Sequence, residues 1–468
     1  MRTPYLPQAY IQQINTLLAD NAERFLRSYE EPRTQGLRIN PLKSTVDSLL
    51  TAELKTRFQL EPVPWCETGF YYNEDQRPGK HPYHTAGMYY IQEPSAMSAV
   101  ELLDPKPGEV ILDLAGAPGG KSTHIAGKMQ GQGLLIANEI HPQRAKILAE
   151  NIERMGVTNA LVTNATPDEL AARFPVYFDR IMLDAPCSGE GMFRKDPDAV
   201  SEWSEDHVIM CATRQWDILE QAVTMLKPGG TLAYSTCTFN TLENEQTIDR
   251  LLAAFPEFAL LRTERIWPHE HRGEGHFVAV LRKAHGDGVD ARAALAAGEA
   301  PRPRDRRKAE RAQRGKGQPA ASVAAGMDLF LAWAREELPG FTPGKGEALL
   351  FGESLYELPQ AGGSSLTAAQ LSGLRIPRAG LHLGTIRKNR IEPAHALALA
   401  VKPEWARLVY DFAPEAPEIA AYLRGETLRV SPDDKGWALV TVDGLPLGWG
   451  KTSGGQLKNH YPKGLRQP

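Results

Sequence analysis

Between residues 110 and 283, short apolar runs alternate with amphipathic stretches, and this alternation constrains the fold more than any other feature of the chain. The runs are VILDL (110–114), LLIAN (134–138), ALVT (160–163), FDRIMLD (178–184), TLAYS (231–235) and HFVAVLRK (276–283), with a shorter one near 259–261. Between them, residues 122–129, 142–155, 206–226 and 243–254 have helical length and spacing. Such alternation specifies a doubly wound α/β sheet, because each crossover between parallel strands needs a helix-sized connection. Seven strands ending in a hairpin are predicted. Ligands of such sheets bind beyond the carboxyl ends of the strands, so the loops that follow the runs carry the chemistry.

At 468 residues the chain exceeds one ordinary core and must divide. Residues 1–100 read as helices followed by a mixed α/β segment, with strand-like pieces at 36–39 and 69–72, and residues 101–285 hold the central sheet. Residues 286–326, rich in Ala, Gly, Pro and Arg, read as a basic flexible linker, and residues 327–468 regain apolar density, with a hairpin at 437–452 around Asp443-Gly444. No apolar run approaches the ~20 residues that span a bilayer, and no secretory leader is evident, so a cytoplasmic protein without a membrane partner is expected. The net charge of −4 hides an asymmetry: residues 301–468 hold 24 Lys and Arg against 17 Asp and Glu, while residues 1–300 carry −11. Eight basic and two acidic residues fall in 302–316. A basic carboxyl third suits contact with a polyanion.

The segment LDLAGAPGGKSTHIA (112–126) is a strand, a glycine-rich turn and a helix. Glycines let backbone amides approach a ligand, and the helix start offers unpaired N–H groups. A phosphate-binding loop competes, since Lys121 and Ser122 have the right spacing and IMLD, ending at Asp184, would follow as its acidic strand. Against it stand Ala115 where the strict motif has Gly, the stiff Pro118, and Glu139 at the end of the second strand, where an acid binds a ribose hydroxyl. A nucleoside without a triphosphate, as in S-adenosylmethionine, fits better.

Four cysteines form no Cys-x-x-Cys pair, so free thiols rather than disulfides or a metal site are expected. Cys187 in DAPCSGEGMFRK and Cys237 in YSTCTFNTLENE both follow predicted strands and should face the cofactor's pocket, with Asp184 beside them; Cys66 and Cys211 read as structural. A thiolate that adds to carbon 6 of a cytosine makes carbon 5 enamine-like and able to accept a methyl group. Lys121 is the candidate cation to favour that thiolate. The Asp/Asn-Pro-Pro-aromatic turn used to methylate exocyclic amines is absent, and DAPC stands in its place. The residues alone leave open which thiol attacks.

DLAGAPGGKSTHIA, NEIHPQRAKILAENIERMG, LDAPCSGEGMFRKDP and LKPGGTLAYSTCTFNTLENE, in this order between residues 112 and 245, resemble the RNA cytosine-5 methyltransferase family (NSUN/RsmF-like). The bacterial RsmF-type 16S rRNA methyltransferases are the nearest kind. The resemblance implies Cys237 as nucleophile, Cys187 in product release, Asp184 at the cytosine and cofactor, and Lys121 as the motif lysine. It also implies cofactor contacts from Ala115, Gly116, Ala117, Pro118, Gly119, Gly120, Lys121, Glu139 and Arg144. Where relatives place an Asp for the adenine amine, this chain has Asn164. A Rossmann-like methyltransferase domain is therefore expected, with an RNA-recognition-like amino-terminal module and a PUA-like carboxyl-terminal extension. Arg375, Arg378, Arg387, Lys388 and Arg390 would meet RNA phosphates, and Tyr461 would stack on a base, whereas Trp437 and Trp449 read better as core. The expected activity is methylation of cytosine carbon 5 in 16S rRNA, free or in the 30S particle, by a monomer that does not act on DNA. Transfer RNA as substrate, a non-catalytic RNA-binding assembly factor, and a phosphate-loop ATPase are the alternatives.

Overall fold

Two helices, Gln8–Leu18 and Ala22–Arg27, open the computed structural model, which describes residues 6–285, 322–361 and 364–467. They lead into an antiparallel sheet of β1 (Gly36–Ile39), β2 (Glu61–Val63), β3 (Cys66–Tyr71) and β4 (Tyr89–Ile91), in the order β2-β3-β1-β4. The two halves of this region face different neighbours. Tyr10, Ile14 and Phe25 of the helices pack on Phe193, Trp203 and Phe239 of the central region, whereas Leu37, Ile39, Tyr83 and Tyr89 share a core with Tyr422, Val440, Leu445 and Tyr461 near the carboxyl terminus. The amino- and carboxyl-terminal regions thus close on one another through a common apolar cluster. The predicted division into appended regions did not anticipate this, because contact between chain ends leaves no local periodicity.

The central sheet contains the seven predicted strands: β5 (Val110–Asp113), β6 (Leu134–Asn138), β7 (Ala160–Thr163), β8 (Phe178–Asp184), β9 (Leu226–Thr236), β10 (Phe258–Ile266) and β11 (His276–Lys283). Its order is β10-β11-β9-β8-β5-β6-β7, with β5 to β9 mutually parallel and β11 antiparallel to both neighbours. β10 runs nine residues where only 259–261 looked strand-like. It is an edge strand with most side chains in solvent, so its apolar signal is weak. An eighth strand, Arg378–Ala379, comes from the carboxyl-terminal region and pairs antiparallel with β7. Two residues are too few to be read from periodicity.

Helices Gly120–Met129, Pro142–Arg154, Glu205–Met225 and Glu245–Ala254 stand near their predicted places. Pro94–Leu103, Pro167–Arg173 and Pro197–Glu202 were not anticipated, yet each begins with Pro at its first position, and Thr166 with Glu169 forms a capping box on the second. Beyond the central region, helix Val323–Glu337 starts inside the predicted linker, capped by Ser322. A four-stranded sheet and then a five-stranded one follow; the latter contains the predicted hairpin, Gly436–Val442 with Leu445–Ser453, turning at Asp443 and Gly444 with φ of 45° and 75°. Among the described residues no helix is long and apolar enough to cross a membrane.

Two expectations about RNA contact are corrected by burial. Arg378 is only 4% exposed; its Nη2 donates to the Val157 carbonyl at 2.7 Å and its Nη1 lies 3.4 Å from Glu153, so it joins two regions rather than facing a phosphate. Tyr461 is 4% exposed and packs on Tyr422 and His395, so it is no stacking platform; Trp437 and Trp449 are buried in the core as read. The basic run 302–316 lies outside the described residues. Residues 322–468 alone hold 16 basic and 15 acidic residues, so the charge excess of the carboxyl third belongs to that run.

Candidate active site

Loops after β5, β6, β8 and β9 meet at the carboxyl edge of the central sheet, and a single asparagine straps three of the strand ends together. Asn138 donates through Nδ2 to the carbonyls of Leu114 and Ala165, and its Oδ1 accepts from Thr163 Oγ1 and Ala165 N. The glycine turn is held from both sides. Gly116 N donates to the Asn138 carbonyl at 2.7 Å, Asn151 Nδ2 to the Pro118 carbonyl, and Arg144 Nη2 to the Ala117 carbonyl at 2.9 Å. Arg144 also pairs with Glu139 at 3.2 Å, and Glu139 accepts from His141 N. Gly116, Ala117 and Pro118 are therefore tied to the end of β6 and to the helix that follows it, with Glu139 and Arg144 in the link. A Cβ on Gly116 would stand 2.6 Å from Ser122 Oγ and 3.2 Å from Asp113 Oδ2, so only glycine fits there.

Lys121, on the first turn of helix Gly120–Met129, pairs with Asp184 at 2.8 Å; Asp184 also accepts from Ser235 Oγ at 2.8 Å. Burial works to raise the Asp184 pKa, but Lys121, then His276, override it, and the carboxylate stays below its ordinary value. Asp113 behaves in the opposite way. Burial pushes it to about 7 against the Ser122 hydrogen bond of 2.5 Å, the neighbouring Asp184 charge adds to the push, and its Oδ1 has no partner among the described residues. With Ser122 held by Asp113 and Lys121 by Asp184, neither is free in the manner a phosphate loop requires.

Cys187 and Cys237 come together with their sulfurs 3.4 Å apart. The hydrogen bond to Cys237, with burial, raises the Cys187 thiol well above its ordinary pKa, so Cys187 keeps its proton. The loops carrying the two thiols are pinned by buried carboxylates. Glu243 accepts from Ser188 N at 3.0 Å, Gln215 Nε2 at 2.6 Å and Asn240 Nδ2 at 2.7 Å. Glu190 accepts from Phe239 N at 2.7 Å, Asn240 N at 3.0 Å, Trp203 Nε1 at 3.0 Å and Gln13 Nε2 at 2.9 Å. The remaining thiols sit apart: burial pushes Cys66 and Cys211 each up to about 11. Cys66 lies with Glu101 and His124, where thiol and imidazole both reach Glu101 Oε1 and Lys128 supplies the counter-charge, while His124 Nδ1 has no partner among the described residues.

Several residues of the site carried no sequence signal. Glu190 and Glu243 sit in motif loops but look like surface acids until their partners fold around them. His276 opens β11 on the same face as Ser235, with Nε2 3.9 Å from Asp184 Oδ1 and burial holding its pKa at about 4. Asn164, at the end of β7, does not stand free: its Nδ2 donates to the carbonyls of Glu139 and Ile140, both at 2.8 Å, and its Oδ1 accepts from Arg375 Nη1 at 3.2 Å.

Comparison with known proteins agrees along the whole chain. A family model described as 16S rRNA methyltransferase RsmB/F matches residues 100–282. Models of the RsmF amino-terminal domain, first carboxyl-terminal domain and PUA domain match residues 6–94, 332–401 and 409–467. The chain is 33% identical to ribosomal RNA small subunit methyltransferase F of Vibrio vulnificus, covering 98% of both chains, and 32% identical to that of Klebsiella pneumoniae, covering 99% of this chain and 97% of the relative. A solved structure of a methyltransferase homolog protein from Pyrococcus horikoshii is 31% identical with a TM-score of 0.54, covering 60% of this chain and 96% of that one. The central sheet is thus a Rossmann-like methyltransferase domain and the five-stranded sheet part of a PUA domain, and the chain belongs to the RsmF family of 16S rRNA methyltransferases.

Proposed function

We propose that this chain methylates carbon 5 of a cytosine in 16S rRNA, with S-adenosylmethionine as donor and Cys237 as a transient covalent nucleophile. The observation that carries this reading is the pair of thiols 3.4 Å apart, on loops after adjacent strands, beside the Lys121–Asp184 pair. Methylation of an exocyclic amine needs no thiol, and a structural role does not require two of them meeting at the ligand end of the sheet. The residues present also fit the donor. The Gly116 cradle admits close approach, Asp113 Oδ1 is a buried acceptor without a partner among the described residues, and Glu139, 2% exposed at the end of β6, stands where a ribose is held.

Cys237 adds to carbon 6 as thiolate, and the electron pair of the 5,6 double bond moves to carbon 5. When bound, S-adenosylmethionine supplies the methyl group to that carbon from its sulfonium. Loss of the carbon 5 proton to solvent then returns its electron pair to the 5,6 bond as the sulfur–carbon 6 bond breaks and Cys237 leaves. Cys187, which holds its proton against Cys237, is the group placed to protonate the departing sulfur. Asp184, kept anionic by Lys121, accepts a hydrogen bond from the cytosine and orients it. Arg387, Lys388 and Arg390, exposed on a hairpin turn, lie along the RNA backbone.

The test is transfer of labelled methyl from S-adenosylmethionine to 16S rRNA, with transfer RNA for comparison. Wild type should form 5-methylcytosine in 16S rRNA, Cys237→Ser should lose it, and Cys187→Ser should accumulate a denaturation-resistant protein–RNA adduct. Full activity of Cys237→Ser would remove the nucleophile assignment.

A further inference from the structure

We infer that Arg375, reaching in from the carboxyl-terminal region, sets the adenine end of the cofactor pocket through Asn164, so that cofactor affinity depends on how that region docks. The inference rests on the reading of the pocket as an S-adenosylmethionine site.

β7 is the outer edge of the parallel sheet, and an uncovered edge presents unpaired N–H and C=O groups. Here Arg378–Ala379 covers it, with Arg378 opposite Val162 and Ala379 opposite Leu161. The docked segment is held by a buried bond from Arg378 to Val157 and by half-buried ones from Arg378 to Glu153 and from Arg173 Nη1 to the Gln370 carbonyl at 3.0 Å. Three residues before the strand, Arg375 meets Asn164 twice. Its carbonyl accepts from Asn164 N at 2.9 Å, and its Nη1 donates to Asn164 Oδ1 at 3.2 Å.

Asn164 follows β7 and bonds to Glu139, which follows β6; these are the ends where the nucleoside of a doubly wound fold is held. Both hydrogens of the Asn164 amide are committed to the carbonyls of Glu139 and Ile140, so its oxygen can only point outward. That oxygen has two lone pairs; Arg375 takes one and fixes its position, and the other is left to accept from a donor such as the adenine amine. The geometry also explains why an amide stands here instead of a carboxylate. Asp at this position would set an anionic oxygen against two carbonyl oxygens at hydrogen-bond distance. Arg375 is thus a positioning residue that acts through Asn164. Because its backbone travels with the docked strand, any shift of the carboxyl-terminal region on engaging RNA is passed to the cofactor pocket.

The experiment is calorimetric titration of the full chain with S-adenosylhomocysteine and with its 6-oxo (inosine) analogue, for wild type and Arg375→Ala. Wild type should prefer the 6-amino ligand. Arg375→Ala should bind it about three- to tenfold more weakly, the loss expected for one hydrogen bond, while the 6-oxo analogue changes less and the discrimination shrinks. Equal affinities in wild type and a folded Arg375→Ala, or an equal loss for both ligands, would overturn the inference in favour of a simple staple. Should the variant not fold, hydrogen exchange of residues 373–379 in wild type decides: added protection with S-adenosylhomocysteine supports the coupling, and unchanged protection overturns it. A wild type that binds neither ligand would instead remove the cofactor reading on which the inference stands.

Discussion

At the scale of single residues, the arrangement depends on buried carboxylates that gather backbone and side-chain donors from several segments. Glu190 ties the turn after Cys237 to Trp203 and to Gln13 of the amino-terminal helix. Replacing it by Gln puts an amide nitrogen among groups that are all donors. We expect Glu190→Gln to lower unfolding free energy by about 2 kcal/mol, the cost of a lost charge-assisted bond, and to slow methyl transfer more than it weakens cofactor binding. Denaturant titration with single-turnover kinetics checks this; unchanged kinetics in a destabilised variant would make Glu190 a scaffold residue only. The candidate thiols themselves were legible in the sequence, because strand, turn and Cys recur twice. Their partners were not: an acid in SGEGMF or NTLENE reads as solvated until the fold surrounds it.

At the scale of elements, the β5–helix turn shows how a local sequence can impose its own conformation. Gly116 has no room for a side chain, since a Cβ would press on Ser122 Oγ and disturb the Asp113–Ser122 bond. Gly116→Ala should therefore cost about 1–3 kcal/mol of stability, as overpacking does, and weaken S-adenosylmethionine binding by roughly tenfold, equivalent to about 1.4 kcal/mol. Thermal melts and calorimetry measure the two effects, and affinity within twofold of wild type would mean that the turn does not cradle the cofactor. β6, β7, β8 and β11 have the bounds that hydrophobic runs predict, because strands buried on both faces write continuous apolar segments. β10, half in solvent, and the two-residue strand from the carboxyl-terminal region escape that rule.

At the scale of the whole molecule, acid should open the structure at its seams. His124 joins helix Gly120–Met129 to Glu101 and Cys66, and burial, with Arg38, holds its pKa at about 3. A histidine depressed in the folded state contributes stability that is present above its unfolded value near 6.5 and lost as pH falls toward the folded value. Glu101, held at about 2 by His124 and Lys128 against burial, adds a loss in the same direction below about 4.5. Unfolding free energy should fall by about 2 kcal/mol from His124 alone between pH 7.5 and 5, beside losses from His81, His84, His276, His382 and His395, which burial also holds at about 3 or 4, so His124→Gln should lessen that slope without removing it. Denaturant titrations across this range test it, and a flat profile in wild type would contradict it.

The doubly wound core, the glycine turn and the positions of Cys187 and Cys237 at strand ends are legible in the chain itself, because hydrophobic period and turn chemistry act over a few neighbouring residues. That the two thiols meet, that Arg378 is a buried link rather than an RNA contact, and that Arg375 reaches Asn164 from 211 positions away emerge only in the folded chain. Such pairings are fixed by how distant surfaces pack and by which buried polar groups must find partners, and no window of sequence records them.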